Sequence, residues 1–379
     1  MSRFGDLGGK LYRGEVSYNI VGRKKMWYTV SAVLILLAVA GILFRGLNLG
    51  IEFKGGAEFY VPSTNCTIQD AREAISSAGV EAVTVTEVGS DNIRAQTPTV
   101  AQEQSRAVVD SLAQTCSVPA DQISSRDVGP TWGGEITRTA LVALAVFLGL
   151  LAIFLTVYFQ WQMAVAALVA LLHDIVITTG IYALVGFEVT PATVIGLLTI
   201  LGYSLYDTVV VFDKVKENTR GVTGQSRYTY SELANLALNQ TIIRSINTSI
   251  VALLPVASIL FVGAFLLGAG PLKDLALVLF IGTAVGTYSS IFVATPVLCQ
   301  IKEREPAMRA LSSRVQKRRV ARGESTTATA TMAGRQEVPA GAPSAGGEMA
   351  PSVDRPHRAN RDPNARVQPK RQTRSKRRH

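Results

Sequence analysis

The sequence predicts an α-helical integral membrane protein with six transmembrane helices and a small α+β ferredoxin-like domain between the first and second helices. Three observations support this fold class. Hydrophobic residues make up 48% of the 379 residues and charged residues only 17%, against about 25% in soluble domains. Apolar runs long enough to cross a bilayer, about 20 residues each, recur six times. One long stretch between the first two runs has the mixed composition of a water-soluble fold.

The six apolar runs define the predicted spans. The first run covers residues 26–44, and because 25 residues precede it we interpret it as a retained anchor and not as a cleaved signal peptide. The other five lie within residues 139–298, at 141–158, 163–185, 191–212, 242–262 and 272–298.

Counts of Lys and Arg predict the orientation in the membrane. Six precede the first run and four lie in residues 213–241, whereas none lies in residues 186–190 or 263–271. Both termini are therefore predicted on the cytoplasmic side. Residues 1–25 become a cytoplasmic segment, and residues 45–138 become an extracytoplasmic domain.

Alternation and helical spacing predict the fold of this extracytoplasmic domain. Strands are expected near residues 57–61, 82–88, 93–96 and 121–128, with helices near residues 67–79 and 100–114. The order β-α-β-β-α-β is that of a ferredoxin-like unit. Its two helices run antiparallel, which brings Cys66, before the first helix, near Cys116, after the second. We therefore hypothesise a Cys66–Cys116 disulfide in an oxidising compartment, with two reduced buried cysteines as the alternative.

The C-terminal tail accounts for the net charge of +10, since residues 299–379 contain 19 Lys and Arg and seven acidic residues. From about residue 304 onward the tail is rich in Arg, Ala, Pro, Gly, Ser and Thr, and we predict a disordered cytoplasmic segment. Two interpretations of its basic end stay open. It is either a solvated stretch beside the anionic inner leaflet or a contact for anionic lipid, ribosome or RNA.

Ionisable residues inside the predicted spans indicate where the chemistry lies, since each costs about 2.5–3.5 kcal/mol on insertion-based scales. The third span contains His173 and Asp174, the fourth contains Asp207, and the fifth opens with Arg244. Asp207 and Arg244 enter from the same membrane side at similar depth. If the fourth and fifth spans pack together, we expect these two side chains to form an ion pair.

Polar neighbours accompany two of these charges. Ser204 precedes Asp207 by three residues and Asn247 follows Arg244 by three, so that each shares a helical face with its charged neighbour. We therefore expect the Ser204 hydroxyl within reach of the Asp207 carboxylate.

Each of these polar groups has a functional and a structural interpretation. A carboxylate near an arginine in low dielectric can couple proton passage to helix movement, but a static ion pair that fixes packing is the alternative for Asp207. For His173 and Asp174 a structural polar contact is the stronger alternative. No nucleophile elbow, metal motif or phosphate loop accompanies them. The sequence therefore predicts neither an enzyme nor a metal site.

Six stretches resemble the SecD/SecF family of protein-export membrane proteins, on its SecF side. The most specific is GYSLYDTVVVFDKVKENT at residues 202–219, which is similar to the family signature at the end of the fourth span. The others agree in order and spacing: GIEFKGG (50–56), VGPTWGGE (128–135), ALLHDIVITTG (170–180), RSINTS (244–249) and GTYSSIFVATP (286–296). Together they extend the resemblance over about residues 20–300.

The resemblance implies the six-span half of an assembly of the resistance-nodulation-division type. Such a subunit pairs with SecD, associates with the SecYEG channel and handles unfolded preproteins. It is expected to use the proton motive force to drive late-stage translocation across the bacterial cytoplasmic membrane, without a cofactor.

The resemblance also assigns expected roles to individual residues. It places the family's intramembrane acid on Asp207 and its fifth-span arginine on Arg244, while Tyr206 replaces the usual Asn beside the acid. It implies hinges where the chain enters and leaves the outer domain. The hinge residues are Gly50, Glu52, Gly55, Gly56, Gly129 and Pro130.

Two alternative functions stay open. The first is a half-size lipid or drug exporter of the same superfamily, for which about 95 outer residues are too few to form a channel. The second is a membrane scaffold that recruits ribosomes or RNA through its basic tail. A scaffold of that kind would fail without residues 305–379 but would tolerate neutralisation of Asp207.

Overall fold

Long helices and one small sheet make up the computed structural model, which describes residue 11 and residues 16–62, 66–81, 84–88, 92–262 and 270–322. In chain order the elements are α1 (Lys24–Phe44), β1 (Asn48–Leu49), α2 (Ile51–Lys54), β2 (Gly56–Pro62), α3 (Ile68–Ser77), β3 (Thr84–Val88), β4 (Asn92–Thr97), α4 (Gln102–Cys116), β5 (Ser124–Val128), α5 (Pro130–Tyr158), α6 (Trp161–Val185), β6 (Glu188–Val189), α7 (Pro191–Asn218), α8 (Tyr230–Val262), α9 (Gly270–Ser289), α10 (Thr295–Lys302) and α11 (Pro306–Ala321).

Six helical stretches in the described residues are long and apolar enough to cross a membrane, which confirms the predicted number of spans. They are Lys24–Phe44, Pro130–Tyr158, Trp161–Val185, Pro191–Gly224, Tyr230–Val262 and Leu272–Lys302. The small α+β domain leaves the bundle between α1 and α5. We call that side of the bundle the domain end and the other side the far end.

Several helices extend beyond the apolar runs that predicted them. α5 begins at Pro130, so the predicted domain boundary at residue 138 falls inside this helix. α7 continues to Asn218, and α8 begins at Tyr230, twelve residues before the predicted start at residue 242. Hydropathy marks the part of a helix that lies in hydrocarbon, whereas backbone hydrogen bonding decides where the helix begins and ends.

The sixth span is not the single α-helix that its hydropathy predicts. A π-helical turn, Ser290–Ala294, separates α9 from α10. Pro296 lies at the start of α10, where it has no backbone N–H to donate to a carbonyl of the preceding turn. The π turn therefore falls in the middle of a membrane-spanning stretch.

The α+β domain has the predicted ferredoxin-like fold. Its antiparallel sheet has the strand order β3-β4-β2-β5, and β2 pairs with both β4 and β5. Phe59 and Ile93 alternate into a core closed by α3 and α4. Cys66 and Cys116 form a disulfide between the start of α3 and the end of α4, which is the pairing that the antiparallel helices predicted.

Glycines allow α7 and α9 to pack at close range. An added Cβ at Gly282 would lie 2.2 Å from Ile200 Cδ1, and one at Gly196 would lie 2.3 Å from Val278 Cγ1. Both distances are too short for real atoms, so a larger side chain would require Ile200 or Val278, or the helices themselves, to move. Small residues at such positions let helix backbones approach in a membrane.

The first part of the predicted disordered tail is helical, which corrects the prediction for residues 306–321. Leu311 and Val315 of α11 are buried in the core cluster of the bundle. Arg314 donates to the carbonyl oxygen of Thr223 at 2.8 Å, and Arg319 forms an ion pair with Glu232. Apolar residues spaced four apart had the helical period that the composition of the tail concealed. Residues 323–379 lie outside the described residues, and their disorder stays a prediction.

The chain before α1 is tied to α8 at the far end. The backbone N–H of Tyr18 donates to Asn239 Oδ1 at 2.7 Å, and the N–H groups of Ile20 and Val21 donate to Asn235 Oδ1. The rest of the predicted cytoplasmic segment, residues 1–10 and 12–15, lies outside the described residues.

Candidate functional site

Buried polar side chains meet where α6, α7 and the π turn pack together. α7 contributes Ser204 and Asp207, and α6 contributes His173 and Asp174. Asp207 is 5% exposed and Asp174 1% exposed, although both lie in membrane-spanning helices. The structure therefore brings four of the six residues predicted to take part in proton coupling into one region.

The hydrogen-bond partner of Asp207 is Ser290. Its hydroxyl donates to Asp207 Oδ2 at 3.1 Å, and Ser290 is fully buried at the first position of the π turn. π turns inside α-helices occur frequently at functional sites because they redirect side chains. Sequence reasoning missed Ser290, although two adjacent serines in an apolar span shortly before Pro296 were a usable signal.

Asp174 forms a second pair with Ser204. The Ser204 hydroxyl donates to Asp174 Oδ2 at 2.6 Å, and His173 Nδ1 lies 3.3 Å from Asp174 Oδ1. We expected the Ser204 hydroxyl to lie within reach of the Asp207 carboxylate. In the structure it instead donates its hydrogen bond to Asp174 of α6. The two carboxylates are instead held by different serines, one on α7 and one on the π turn.

Gly286 determines how closely α9 approaches this region. An added Cβ at Gly286 would lie 2.9 Å from Ser204 Cβ and 3.0 Å from Ser204 Oγ. A side chain at position 286 would therefore displace the serine that donates to Asp174. This glycine places α9, and with it the π turn, against the two carboxylates.

The predicted ion pair between Asp207 and Arg244 is not formed. Arg244 is exposed on α8, and its Nη2 makes a long contact of 3.5 Å with the hydroxyl of Tyr206. Successive residues of an α-helix point about 100° apart, so Tyr206 and Asp207 face different neighbours. Asn247 is also exposed. Arg244, Asn247 and Tyr206 form a polar patch on the outside of the bundle, which we call the α8 patch.

A row of hydroxyls extends from the π turn toward α8. Ser290 Oγ also lies 3.2 Å from the Thr287 carbonyl oxygen, which competes with Asp207 for the single hydroxyl proton, and the Thr287 hydroxyl donates to Ser249 Oγ at 2.7 Å. Ser249 in turn donates to the Ser245 carbonyl oxygen at 2.9 Å. This row places hydrogen-bonding groups between Asp207 and the helix that carries Arg244.

Two of the expected hinge residues have backbone conformations that favour glycine. Gly55 has φ +80° and Gly56 has φ +149°. An added Cβ at Gly55 would lie 3.1 Å from the Pro130 Cα, and one at Gly56 would lie 2.6 Å from the Thr97 carbonyl oxygen. The two connections between the domain and the bundle therefore touch each other at Gly55 and Pro130.

The other expected hinge residues make different contacts, and not all of them have a backbone conformation that requires glycine. The Gly50 N–H donates to the Val189 carbonyl oxygen at 2.9 Å, and Glu52 lies 3.5 Å from Arg126 in an ion pair. Gly129 has φ −69°, so its conformation does not require glycine.

Gly133, which sequence reasoning did not single out, is more constrained than Gly129. An added Cβ at Gly133 would lie 2.7 Å from the carbonyl oxygen of Phe53. It thereby packs α2 onto the first turn of α5.

The described residues form a six-helix bundle of membrane-spanning length with a ferredoxin-like domain after its first helix and buried carboxylates on two adjacent helices, which is the architecture of a polytopic membrane protein. The family described as "Protein export membrane protein SecD/SecF, C-terminal" matches residues 108–304, and the "SecD/SecF GG Motif" matches residues 40–64. The chain belongs to the SecD/SecF family, on its SecF side.

Individual relatives agree with this assignment. "Protein translocase subunit SecF" of Streptomyces coelicolor is 50% identical over 335 residues, which cover 87% of this chain and 90% of that protein. The protein of the same name from Mycobacterium tuberculosis is 46% identical over 321 residues, covering 82% of this chain and 73% of that protein. These names indicate a role in protein transport and not in catalysis.

A solved structure has the same fold. The crystal structure of SecDF from Thermus thermophilus, described as a translocon-associated membrane protein, matches with a TM-score of 0.68 and 32% identity. The match covers 76% of this chain and 39% of that chain. The chain therefore corresponds to less than half of SecDF, whose name joins SecD and SecF, and this fusion supports an association with SecD.

Proposed function

We propose that the chain is the SecF half of a proton-driven export complex. It pairs with SecD, works at the SecYEG channel and drives late-stage preprotein translocation across the bacterial cytoplasmic membrane. The observation that carries the proposal is the environment of Asp207. This carboxylate is buried in a membrane span, accepts a serine hydroxyl, and has no Lys or Arg within 4.0 Å among the described residues.

The absence of a nearby cation matters for a proton carrier. An ionisable side chain inside the membrane costs free energy on insertion. A residue whose role is only to fix helix packing does not need an ionisable side chain. A carboxylate held by a hydroxyl can take up or release a proton without first breaking an ion pair. Any change in charge on Asp207 alters its hydrogen bond to Ser290, and Ser290 begins the π turn of the sixth span. Proton exchange at Asp207 would therefore be transmitted to α9 and α10.

The α8 patch supports a partner half. An exposed guanidinium on a membrane-spanning helix is unfavourable in contact with lipid tails. We infer that helices of SecD cover Arg244, Asn247 and Tyr206 and complete the proton path. The fused SecDF of Thermus thermophilus, 33% identical over 322 residues, has the additional length for such a half, since this chain covers 41% of it.

His173, Asp174 and Ser204 form a second branch beside Asp207. We propose that Asp174 relays protons, because it accepts a 2.6 Å hydrogen bond from the helix that carries Asp207. The buried His173 Nε2 has no hydrogen-bond partner in the described part of the chain. A buried ring nitrogen of this kind keeps hydrogen-bonding capacity for a proton on its way to Asp174.

We also propose the orientation that the basic residues predict, with the far end and both termini in the cytoplasm. Cysteine labelling tests it, because Cys299 is buried and Cys66 and Cys116 are bonded. An impermeant maleimide added to intact cells should label Ser124→Cys at the domain end and leave Thr223→Cys at the far end unlabelled. The opposite pattern would contradict the orientation.

Neutralising Asp207 tests the proposed function. Asp207→Asn is compared with Asp213→Asn, an exposed acid on the same helix, in vesicles that contain equal amounts of complex. Export by Asp207→Asn should equal the residual rate measured after the proton gradient is collapsed, whereas Asp213→Asn should match the parent. Gradient-dependent export by Asp207→Asn at the parental rate would refute the proposal.

A tail deletion separates the proposal from a scaffold. Removal of residues 323–379 should leave gradient-driven export intact if Asp207 carries the function. Loss of export with that deletion, together with normal export by Asp207→Asn, would favour the ribosome- or RNA-recruiting scaffold.

A further inference from the structure

A second buried cluster of charges lies at the domain end, away from the membrane-embedded carboxylates. Arg94 of β4 forms ion pairs with Glu58 of β2 and with Glu188 of β6. The side chains of Arg94, Glu58 and Glu188 are only 18%, 7% and 16% exposed. Gln96 donates to Glu58 at 3.3 Å and to Glu188 at 2.8 Å. We call these four residues the Arg94 cluster.

Strand alternation explains which face of the sheet carries the Arg94 cluster. Phe59 and Ile93 point into the domain core, so Glu58 and Arg94, one residue away on each strand, point to the opposite face. Glu188 approaches that face from the bundle. The cluster therefore fills the junction between the domain and the connection from α6 to α7.

This connection is attached to the helices of the candidate site. Glu188 lies in β6, two residues before Thr190, which caps the N-terminus of α7. The Thr190 hydroxyl also donates to Asp274 Oδ2 of α9 at 3.2 Å. Arg94 thus holds a segment that is continuous with α7 and hydrogen-bonded to α9, the helices that lead to Asp207 and to the π turn.

The two covalent connections of the domain lie close together. Its chain enters at Gly55 and leaves at Pro130, and these residues touch, since a Cβ at Gly55 would lie 3.1 Å from the Pro130 Cα. Connections this close together restrain the orientation of the domain mainly at one place, where the Glu52–Arg126 ion pair also lies. A second attachment away from that place is needed to fix the orientation of the domain, and the Arg94 cluster lies on the sheet that faces the bundle.

We propose that Arg94 is a positioning residue that clamps the α+β domain onto the α6–α7 connection, so that the domain follows displacements of α7 and α9. The Arg94–Glu188 ion pair is lost if the domain swings away, which leaves the Glu188 carboxylate without its cation, whereas the Arg94–Glu58 pair lies within the domain and is kept. The clamp is a property of the fold, whereas its consequence for transport rests on the proposed function.

Hydrogen exchange in the purified complex with SecD tests the clamp without any transport assay. Arg94→Ala should speed amide exchange at residues 186–190 by at least about tenfold, because loss of one partner of a buried ion pair favours opening. Arg106→Ala, an exposed arginine on α4, should leave exchange there unchanged. Parental exchange in Arg94→Ala would overturn the clamp.

Exchanging the charges of Arg94 and Glu188 distinguishes loss of the clamp from misfolding of a variant. The single changes Arg94→Glu and Glu188→Arg each place like charges together and should speed exchange at residues 186–190. The double variant Arg94→Glu/Glu188→Arg restores opposite charges across the junction and should return exchange to within about threefold of the parent. Failure of the double variant to recover protection, in a complex of parental abundance, would also overturn the clamp.

Export by the same variants tests the coupling. Gradient-driven export should fall several-fold in Arg94→Ala and recover in the double variant, at equal amounts of complex. Parental export by a variant whose junction is open would refute the coupling. If Asp207→Asn exports normally, the proposed function fails, while hydrogen exchange still decides whether the clamp exists.

Discussion

Two pairs of buried carboxylates in this protein are stabilised in opposite ways. At the domain end, Glu58 and Glu188 share the guanidinium of Arg94. In the bundle, Asp174 and Asp207 accept serine hydroxyls at 2.6 and 3.1 Å, and no Lys or Arg of the described residues lies within 4.0 Å of them. A paired charge holds two parts of a protein in place, whereas a carboxylate that relies on hydroxyls is free to change its charge. Under the proposed function, this difference distinguishes a fixed attachment at the domain end from a site of proton exchange in the bundle.

The largest expected effect contrasts Arg94→Ala with Asp207→Asn in thermal or denaturant unfolding. Arg94→Ala leaves two mostly buried carboxylates without their cation and should lower the free energy of unfolding by about 3–5 kcal/mol. Asp207→Asn keeps an acceptor for Ser290 and should change it by less than about 1 kcal/mol. Equal losses in the two variants would mean that both clusters are structural.

A second prediction concerns the contact between Gly286 of α9 and Ser204 of α7, next to the buried carboxylates. Gly286→Val would push α9 away from Ser204 and should cost about 1–3 kcal/mol of unfolding free energy through overpacking. Gly202→Val is the matched control, because an added Cβ there has no atom within 4 Å. If both variants unfold alike, close packing of α9 does not define the site.

A smaller effect is expected from Ser290→Ala, which removes the hydroxyl that donates to Asp207. The stability should fall by about 1 kcal/mol, and the dependence of gradient-driven export on pH should shift. Ser258→Ala removes an exposed hydroxyl of α8 that donates only to the Leu254 carbonyl oxygen and should leave the pH profile unchanged. An unshifted profile in Ser290→Ala would exclude this hydrogen bond from proton exchange.

The smallest expected effect is the contribution of the Arg94 cluster to the pH dependence of the free energy of unfolding. Burial raises the pKa of Glu58 above its usual range, although Arg94 and Gln96 oppose the shift and Glu188 and Glu52 add to it. The folded state therefore binds this proton more tightly than the unfolded state, and the contribution to stability is lost as pH rises through the raised pKa. The unfolding midpoint of the parent should fall over that range, and Glu58→Gln should show a weaker dependence. Identical pH curves would contradict this assignment.

The local patterns of the sequence predicted the spans and the ferredoxin-like strand order. Strand alternation and helical spacing are properties of short segments, and they also placed Cys66 and Cys116 together. The position of Asp207 along its helix was predictable for the same reason. Its rotation relative to the neighbouring helices was not, because that depends on which faces pack. The expected pair with Arg244 failed on this point.

Features that depend on packing between residues distant in sequence could not be predicted from the sequence. β1 and β6 are two residues each, too short to show a period, and they pair where the connection after α1 meets the connection between α6 and α7. The π turn and its Ser290 depend on how α9 fits against α7. α11 was hidden because its apolar residues are few within a basic segment. The Arg94 cluster joins residues 94 positions apart, which no local pattern connects.

Infrared difference spectroscopy of the complex with SecD in membranes tests most directly whether Asp207 exchanges a proton. A step in pH should change a carboxylic acid band that is lost in Asp207→Asn and kept in Asp213→Asn. The same band should respond when a proton gradient is imposed during export. If no Asp207-dependent band changes while preproteins are still exported at the parental rate, Asp207 is a structural residue and the account is wrong.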